Sequence, residues 1–380
     1  MKIKSKSKLP PGKKFDLNYF KAPFCSKEKI EFKRYETVNF KTDYFKNKSQ
    51  KFNNIGKILF ISGPARNGNH IMMSMLDGHP QIECQPGEDF LLREFISRAK
   101  EDEKKLVSKI KNLKNIGFIT RMSGAYINKW KKLHLARKNK KKIKSWSGQQ
   151  PINKSHISDF QNFIPKINYD AYEKNLIKNL KNINGTETFL DFLKIYLESL
   201  SKLVSSSTKK KLIYKHIYVY SGLRRELFYL LEKTENIICI CPIRRFESFY
   251  FSYAKSRFKT EKVEQKPLDE LWEHWRHKTI DYLLLKKKYP KKIIFVKFED
   301  LINKNEITAK KICKKLKINY SKKLNKATIL GKTVKGNSSF AKTDQHKGKF
   351  YKDSIKKEFP LKILPKEYFE ILKTVHKQCL

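Results

Sequence analysis

Residues Gly63-Pro64-Ala65-Arg66-Asn67-Gly68-Asn69-His70 bring two glycines, a proline, one permanent cation and three polar side chains into a single turn. Such a turn suits an anion. The arginine offers a planar fork of N–H donors that matches phosphate or sulfate oxygens. The spacing departs from a nucleoside-triphosphate loop, GxxxxGK[ST], which needs a lysine for the phosphates and a hydroxyl for Mg²⁺. Here Gly68 is followed by Asn69 and His70, so the turn is expected to hold an anionic group without the Mg·ATP machinery.

A second cationic point follows at Arg244-Arg245, with Ser252 eight residues beyond Arg244. If a helix begins near Phe246, its first turn and Arg244 face one ligand group, and Ser252 adds a hydroxyl. Taken alone, an Arg-Arg pair of this kind reads as a solvated loop. The cysteines (Cys25, Cys84, Cys239, Cys241, Cys313, Cys379) form no CxxC pair and have no metal-ligand spacing with histidine. They read as reduced thiols of a cytoplasmic protein, with no metal site expected.

Positioning these groups requires elements that the sequence marks out. Ile58, Leu59, Phe60 and Ile61 form a short apolar run, Gly63-Pro64 turns it, and Ile71, Met72, Met75 and Leu76 have helical spacing. A helix start presents backbone N–H groups, and its dipole favours negative charge there. Further strand-like runs stand at 58–62, 211–215, 236–241 and 292–298, with helical patterns around 189–204 and 271–284. This alternation predicts an α/β fold, a central parallel sheet with helices on both faces. Residues 1–55 read as a basic extension, and 56–380 as one domain. Within it, about 101–185 fit no alternation and read as an insertion over the strand ends. That insertion carries a lysine run at 138–144 and the aromatics Tyr126, Trp130, Trp146, Phe160, Phe163 and Tyr169.

The chain has 85 Lys and Arg against 37 Asp and Glu, a formal charge of +48. That invites a polyanion-binding reading. The excess is almost all lysine and spread along the whole chain, so it is read as helping to attract an acidic substrate and not as a nucleic-acid site. No long uninterrupted apolar stretch predicts a membrane span, and no apolar run follows the basic N-terminus as a secretory signal would require.

The two anchors together resemble those of the sulfotransferases that use 3′-phosphoadenosine-5′-phosphosulfate (PAPS), in style the glycan and tyrosylprotein types. In that family a PRSGTT or PKSGTT turn binds the 5′-phosphosulfate, and Ala65 to His70 match it. An Arg followed eight residues later by a Ser binds the 3′-phosphate, and Arg244 and Ser252 match those. LDGHP at 76–80 is similar to the segment that closes the family's first helix, and KFEDL at 297–301 to its YEDL strand end. KGNSSF at 335–340, with GKFYK at 348–352, is similar to its C-terminal cofactor loop and implies Lys335, Gly336 and Asn337 as further contacts. The order of these segments runs over 57–352. Two departures stand out: Asn69-His70 replace paired hydroxyls, and Arg244-Arg245-Phe246 replace RDP. An asparagine amide and a histidine ring N–H can still donate hydrogen bonds.

The resemblance implies a P-loop-like three-layer sandwich and in-line sulfuryl transfer to an acceptor hydroxyl or amine. Such a transfer asks for an oriented acceptor, a base and positive charge at the leaving phosphate. It implies Arg66 for charge stabilisation and Lys215 for reaching the sulfuryl group. For the base it offers Glu88, then Asp89, then His216. Lys215 and His216 are adjacent, so both reach one site only if their strand ends there. The alternatives are a phosphotransferase on a small metabolite, which lacks its Lys-Ser/Thr pair here, and a non-catalytic polyanion binder. For the acceptor, the tryptophans and lysines of the insertion suit a sugar, an acidic glycan among the options, with a small metabolite or a peptide tyrosine as the alternatives.

Overall fold

The structure, a computed structural model, describes residues 57–88, 168–181, 214–221, 235–260, 262–329, 331–333 and 358–380, with isolated positions between 135 and 231. The extension 1–55, most of the insertion, Asp89, the helix expected near Phe90, and the segments at 335–340 and 348–352 lie outside the described residues.

Five strands form one parallel sheet: β1 (Lys57–Gly63), β2 (Ile82–Glu88), β3 (Tyr214–Ser221), β4 (Ile237–Ile243) and β5 (Ile293–Lys297), in the order β2-β3-β1-β4-β5. β1 is buried over six of its seven residues, as a strand covered on both faces must be. Its alternate side chains go to opposite layers. Leu59 and Ile61 join Ile240, Ile294 and Val296 in a core with α1 (Asn69–Leu76). On the other side Ser62 Oγ lies 2.7 Å from Tyr282 Oη, within the long helix α4 (Gln265–Lys288). The fold is the expected α/β sandwich, its sheet held between helical layers. Each buried Leu, Ile, Met or Phe contributes roughly 1.5–3 kcal/mol.

The remaining helices are α2 (Tyr169–Lys181), α3 (Phe246–Arg257), α5 (Phe298–Asn303), α6 (Asn305–Leu316) and α7 (Lys366–Gln378). α2 falls in the stretch read as an insertion, and it buries Tyr169, Tyr172 and Leu176 fully. At the sheet's β5 edge, Leu380 N donates to Phe295 O at 3.1 Å, so the C-terminal residues cover that strand. No helix among the described residues is long and apolar enough to cross a membrane, and Cys239, Cys241, Cys313 and Cys379 are free thiols.

Two strands differ from expectation. β2 is not among the strand-like runs read from the sequence, and it carries Pro86 and Gly87. Pro86 is tolerated because β2 is an edge strand, where a missing N–H costs least, and its pairing shifts register on the way to Glu88. The strand expected at 211–215 instead runs Tyr214–Ser221. Its alternating Ile217, Val219 and intervening tyrosines are the better strand formers.

Candidate active site at the carboxyl ends of the strands

All five strands are parallel, so their carboxyl ends share one edge of the sheet. The chain crosses from one side of β1 to the other between β3 and β4, and ligands of open α/β sheets sit at such a reversal. The turn Pro64–Gly68 leaves β1 there, Arg244 and Arg245 leave β4, and Phe298 and Glu299 leave β5.

The turn is closely built. Gly68 precedes α1 at φ 98°, in the left-handed region, and an added Cβ would stand 2.5 Å from the Phe298 ring. At Gly63 an added Cβ would stand 2.6 Å from the Pro242 carbonyl oxygen. Both positions therefore need glycine. Arg66 is also left-handed, at φ 67°, a conformation that costs a non-glycine residue roughly 1–2 kcal/mol. Asn69 Nδ2 donates to Gly63 O at 3.1 Å, so the residue standing where a triphosphate loop carries its phosphate-binding lysine closes the turn instead. α1 has no side-chain cap and no acidic residue in its first turn, which leaves its positive end unneutralised by its own side chains.

The two arginine anchors meet. Arg66 Nη2 donates to Ser252 O at 3.3 Å, and Arg244 Nη1 donates to Arg66 O at 2.9 Å. Arg244 is 4% exposed. Its Nε donates to Ser248 Oγ at 3.0 Å, and its guanidinium carbon lies 4.1 Å from the Phe298 ring centroid, a cation–π contact. Trp275 Nε1 donates to Arg244 O at 2.8 Å. Phe246 packs edge-on against Trp272 and Trp275, fixing the start of α3 on α4. Burial lowers the Arg66 guanidinium, while Tyr253 opposes the shift. Burial pulls Arg244 down to about 9, with Glu299 raising it and Arg66 lowering it further. Arg244 stays cationic at neutral pH, and two like charges this close favour a bound anion.

Asn67 is fully buried, and neither its Nδ2 nor its Oδ1 has a hydrogen-bond partner among the described residues. An unsatisfied buried amide is costly. A ligand oxygen in this glycine-bordered turn would satisfy its donor. The donors of the turn thus suit an anionic group, and Arg244 adds a second cation beside it.

The other expected residues divide. Glu88 is the last residue of β2 and pairs with Val219, on the edge that carries the turn. Two strand spacings, about 10 Å, separate its backbone from β1. Lys215 and His216 are not brought to the turn: β3 begins at Tyr214, and His216 pairs with Ile58 whereas Ser221 pairs with Gly63. Five residues of strand, roughly 16 Å, lie between them and the turn's edge. Ser248, Phe298, Glu299 and Trp275 had no assigned role from the sequence. Ser248 had a legible signal, one helical turn beyond Arg244; the others are long-range partners.

No protein-family profile and no curated protein matches the chain. Among solved structures it is similar to the sulfotransferase domain of the Synechococcus PCC 7002 olefin synthase, at 15% identity over 84% of this chain and 93% of that one, TM-score 0.40. It is also similar to the sulfotransferase domain from the curacin biosynthetic pathway, at 13% identity over 86% and 99%, TM-score 0.45. A sulfotransferase from Mycobacterium tuberculosis H37Rv aligns at 12% identity over 81% and 82%, TM-score 0.35.

Proposed function

We propose that this protein is a PAPS-dependent sulfotransferase acting on a hydroxyl or amine of an acceptor, with a carbohydrate as the favoured class. The observation that carries the reading is the convergence of two motifs 178 residues apart, Arg244 Nη1 donating to Arg66 O and Arg66 in turn to Ser252 O. Two cationic anchors in one crevice suit a ligand with anionic groups at both ends.

PAPS, when bound, supplies an activated sulfuryl group on a phosphate leaving group. In this assignment the turn from Gly63 to His70 and the positive end of α1 hold the 5′-end, with Arg66 stabilising charge that develops on the leaving phosphate. Arg244 and Ser252 hold the 3′-phosphate, and Lys335, Gly336 and Asn337 belong to the same proposal. Glu88 takes the acceptor's proton, favoured over Asp89 because its strand ends on the site's edge; the register of β3 argues against His216 and Lys215 in chemical roles. The engagement of Asn69 with Gly63 O favours this reading over a Mg²⁺-dependent phosphotransferase.

Incubation with radiolabelled PAPS and a panel of saccharides, small alcohols and tyrosine peptides tests the assignment. Label should pass to one acceptor class with EDTA present, and Glu88→Gln should abolish transfer while sparing nucleotide binding. Mg²⁺-dependent phosphoryl transfer from ATP, with none from PAPS, would replace this reading by the phosphotransferase.

A further inference from the structure

We propose that Ser248 and Glu299, with the Phe298 ring, are positioning residues that set the orientation of the Arg244 guanidinium and so determine selectivity for a ligand's second anionic group. This rests on the functional reading above, and none of the three is asked to touch the ligand.

The hydrogen bonds have a definite direction. Arg244 Nε has only a proton to give, and it lies 3.0 Å from Ser248 Oγ. Ser248 Oγ therefore accepts there and must send its own single proton elsewhere. Glu299 Oε1 stands at 2.9 Å and the Arg245 carbonyl at 3.3 Å, so the shorter path, to a carboxylate, takes it. The chain runs Arg244 Nε–H to Ser248 Oγ–H to Glu299 Oε1. The same carboxylate oxygen accepts from Arg245 N at 3.2 Å, pinning the main chain next to Arg244 at the start of α3.

Phe298 completes the seat, with its ring 4.1 Å from the guanidinium carbon. Phe298 and Glu299 are consecutive, so one step of chain after β5 supplies both the apolar shelf and the carboxylate. Ser248 is 1% exposed and Phe298 2%, so both act from behind the arginine. A planar fork binds two oxygens only when held in the correct plane. These contacts hold it.

The test measures binding of adenosine 3′,5′-bisphosphate and of 5′-AMP to wild type, Ser248→Ala, Glu299→Ala and Glu299→Gln, with thermal melts to verify folding. In wild type the bisphosphate should bind more tightly. Ser248→Ala and Glu299→Ala should each reduce that preference about tenfold, the scale of one hydrogen bond to a charged group, with 5′-AMP affinity unchanged. Glu299→Gln keeps an acceptor oxygen and should retain most of the preference. A wild-type preference that survives both alanine variants, or equal weakening of both ligands, would overturn the positioning role alone. A wild type with no preference would overturn the underlying functional reading and this inference with it.

Discussion

The two ends of helix α1 use polar residues in opposite ways. Beyond its carboxyl end, Asp77 Oδ2 accepts from Thr328 Oγ1 at 2.8 Å and from Gly331 N at 2.7 Å. His79 Nδ1 accepts from Gln81 N at 3.0 Å, which leaves Nε2 to donate to Asn319 O at 2.6 Å. The LDGHP segment is thereby tied into the fold by its own side chains, fastening α1 to the strands at 328–333. At the amino end stand the buried Arg244, a half-buried and left-handed Arg66, and an Asn67 amide without a protein partner among the described residues. One end is complete within the protein; in the proposed function the other is completed by an anion. Two segments that both look like family signatures therefore divide, under the proposed function, into a structural clamp and a candidate binding site.

That contrast can be broken by mutation. The largest effect is expected for Arg244→Ala: losing two charge-assisted bonds should cut affinity for adenosine 3′,5′-bisphosphate about a hundredfold while barely moving 5′-AMP, as calorimetry can read. Equal losses would locate the second anion elsewhere. Asp77→Ala should do the reverse. It strands the buried Thr328 hydroxyl and frees the exposed Gly331 N–H, so stability should fall by about 1–2 kcal/mol in urea unfolding with the ratio of the two ligand affinities unchanged. Asn67→Ala sharpens the contrast, since it removes a buried amide that the fold leaves unsatisfied. Nucleotide affinity should drop about fivefold with no loss in melting temperature, and a lower melting temperature would place Asn67 with the clamp. The smallest effect is with pH. Arg244 is lowered to about 9 by burial, and the anion binds its protonated form. Bisphosphate affinity should hold below that value and decline as pH rises through it, with a weaker decline for 5′-AMP.

Much of this was legible because the decisive signals are local. The apolar run of β1, the glycine-bearing turn, and α1 stood in one continuous stretch, and Arg244 with its helix in another. β2 was illegible because an edge strand can hold Pro86 where an interior one cannot. The register of β3 is not legible from its apolar run; only pairing with β1 decides it, and it puts Lys215 and His216 at the edge of the sheet opposite the turn. Phe298 and Glu299 belonged to a recognisable KFEDL segment, yet their contacts with Gly68, Arg244 and Ser248 cross more than fifty residues of chain. No local pattern encodes such contacts.

The most direct test of the account is calorimetric titration of the intact protein with adenosine 3′,5′-bisphosphate, 5′-AMP and Mg·ATP at physiological ionic strength, where nonspecific attraction to lysines is screened. The bisphosphate should bind most tightly, with no requirement for Mg²⁺. Preference for Mg·ATP, or equal binding of all three, would contradict it.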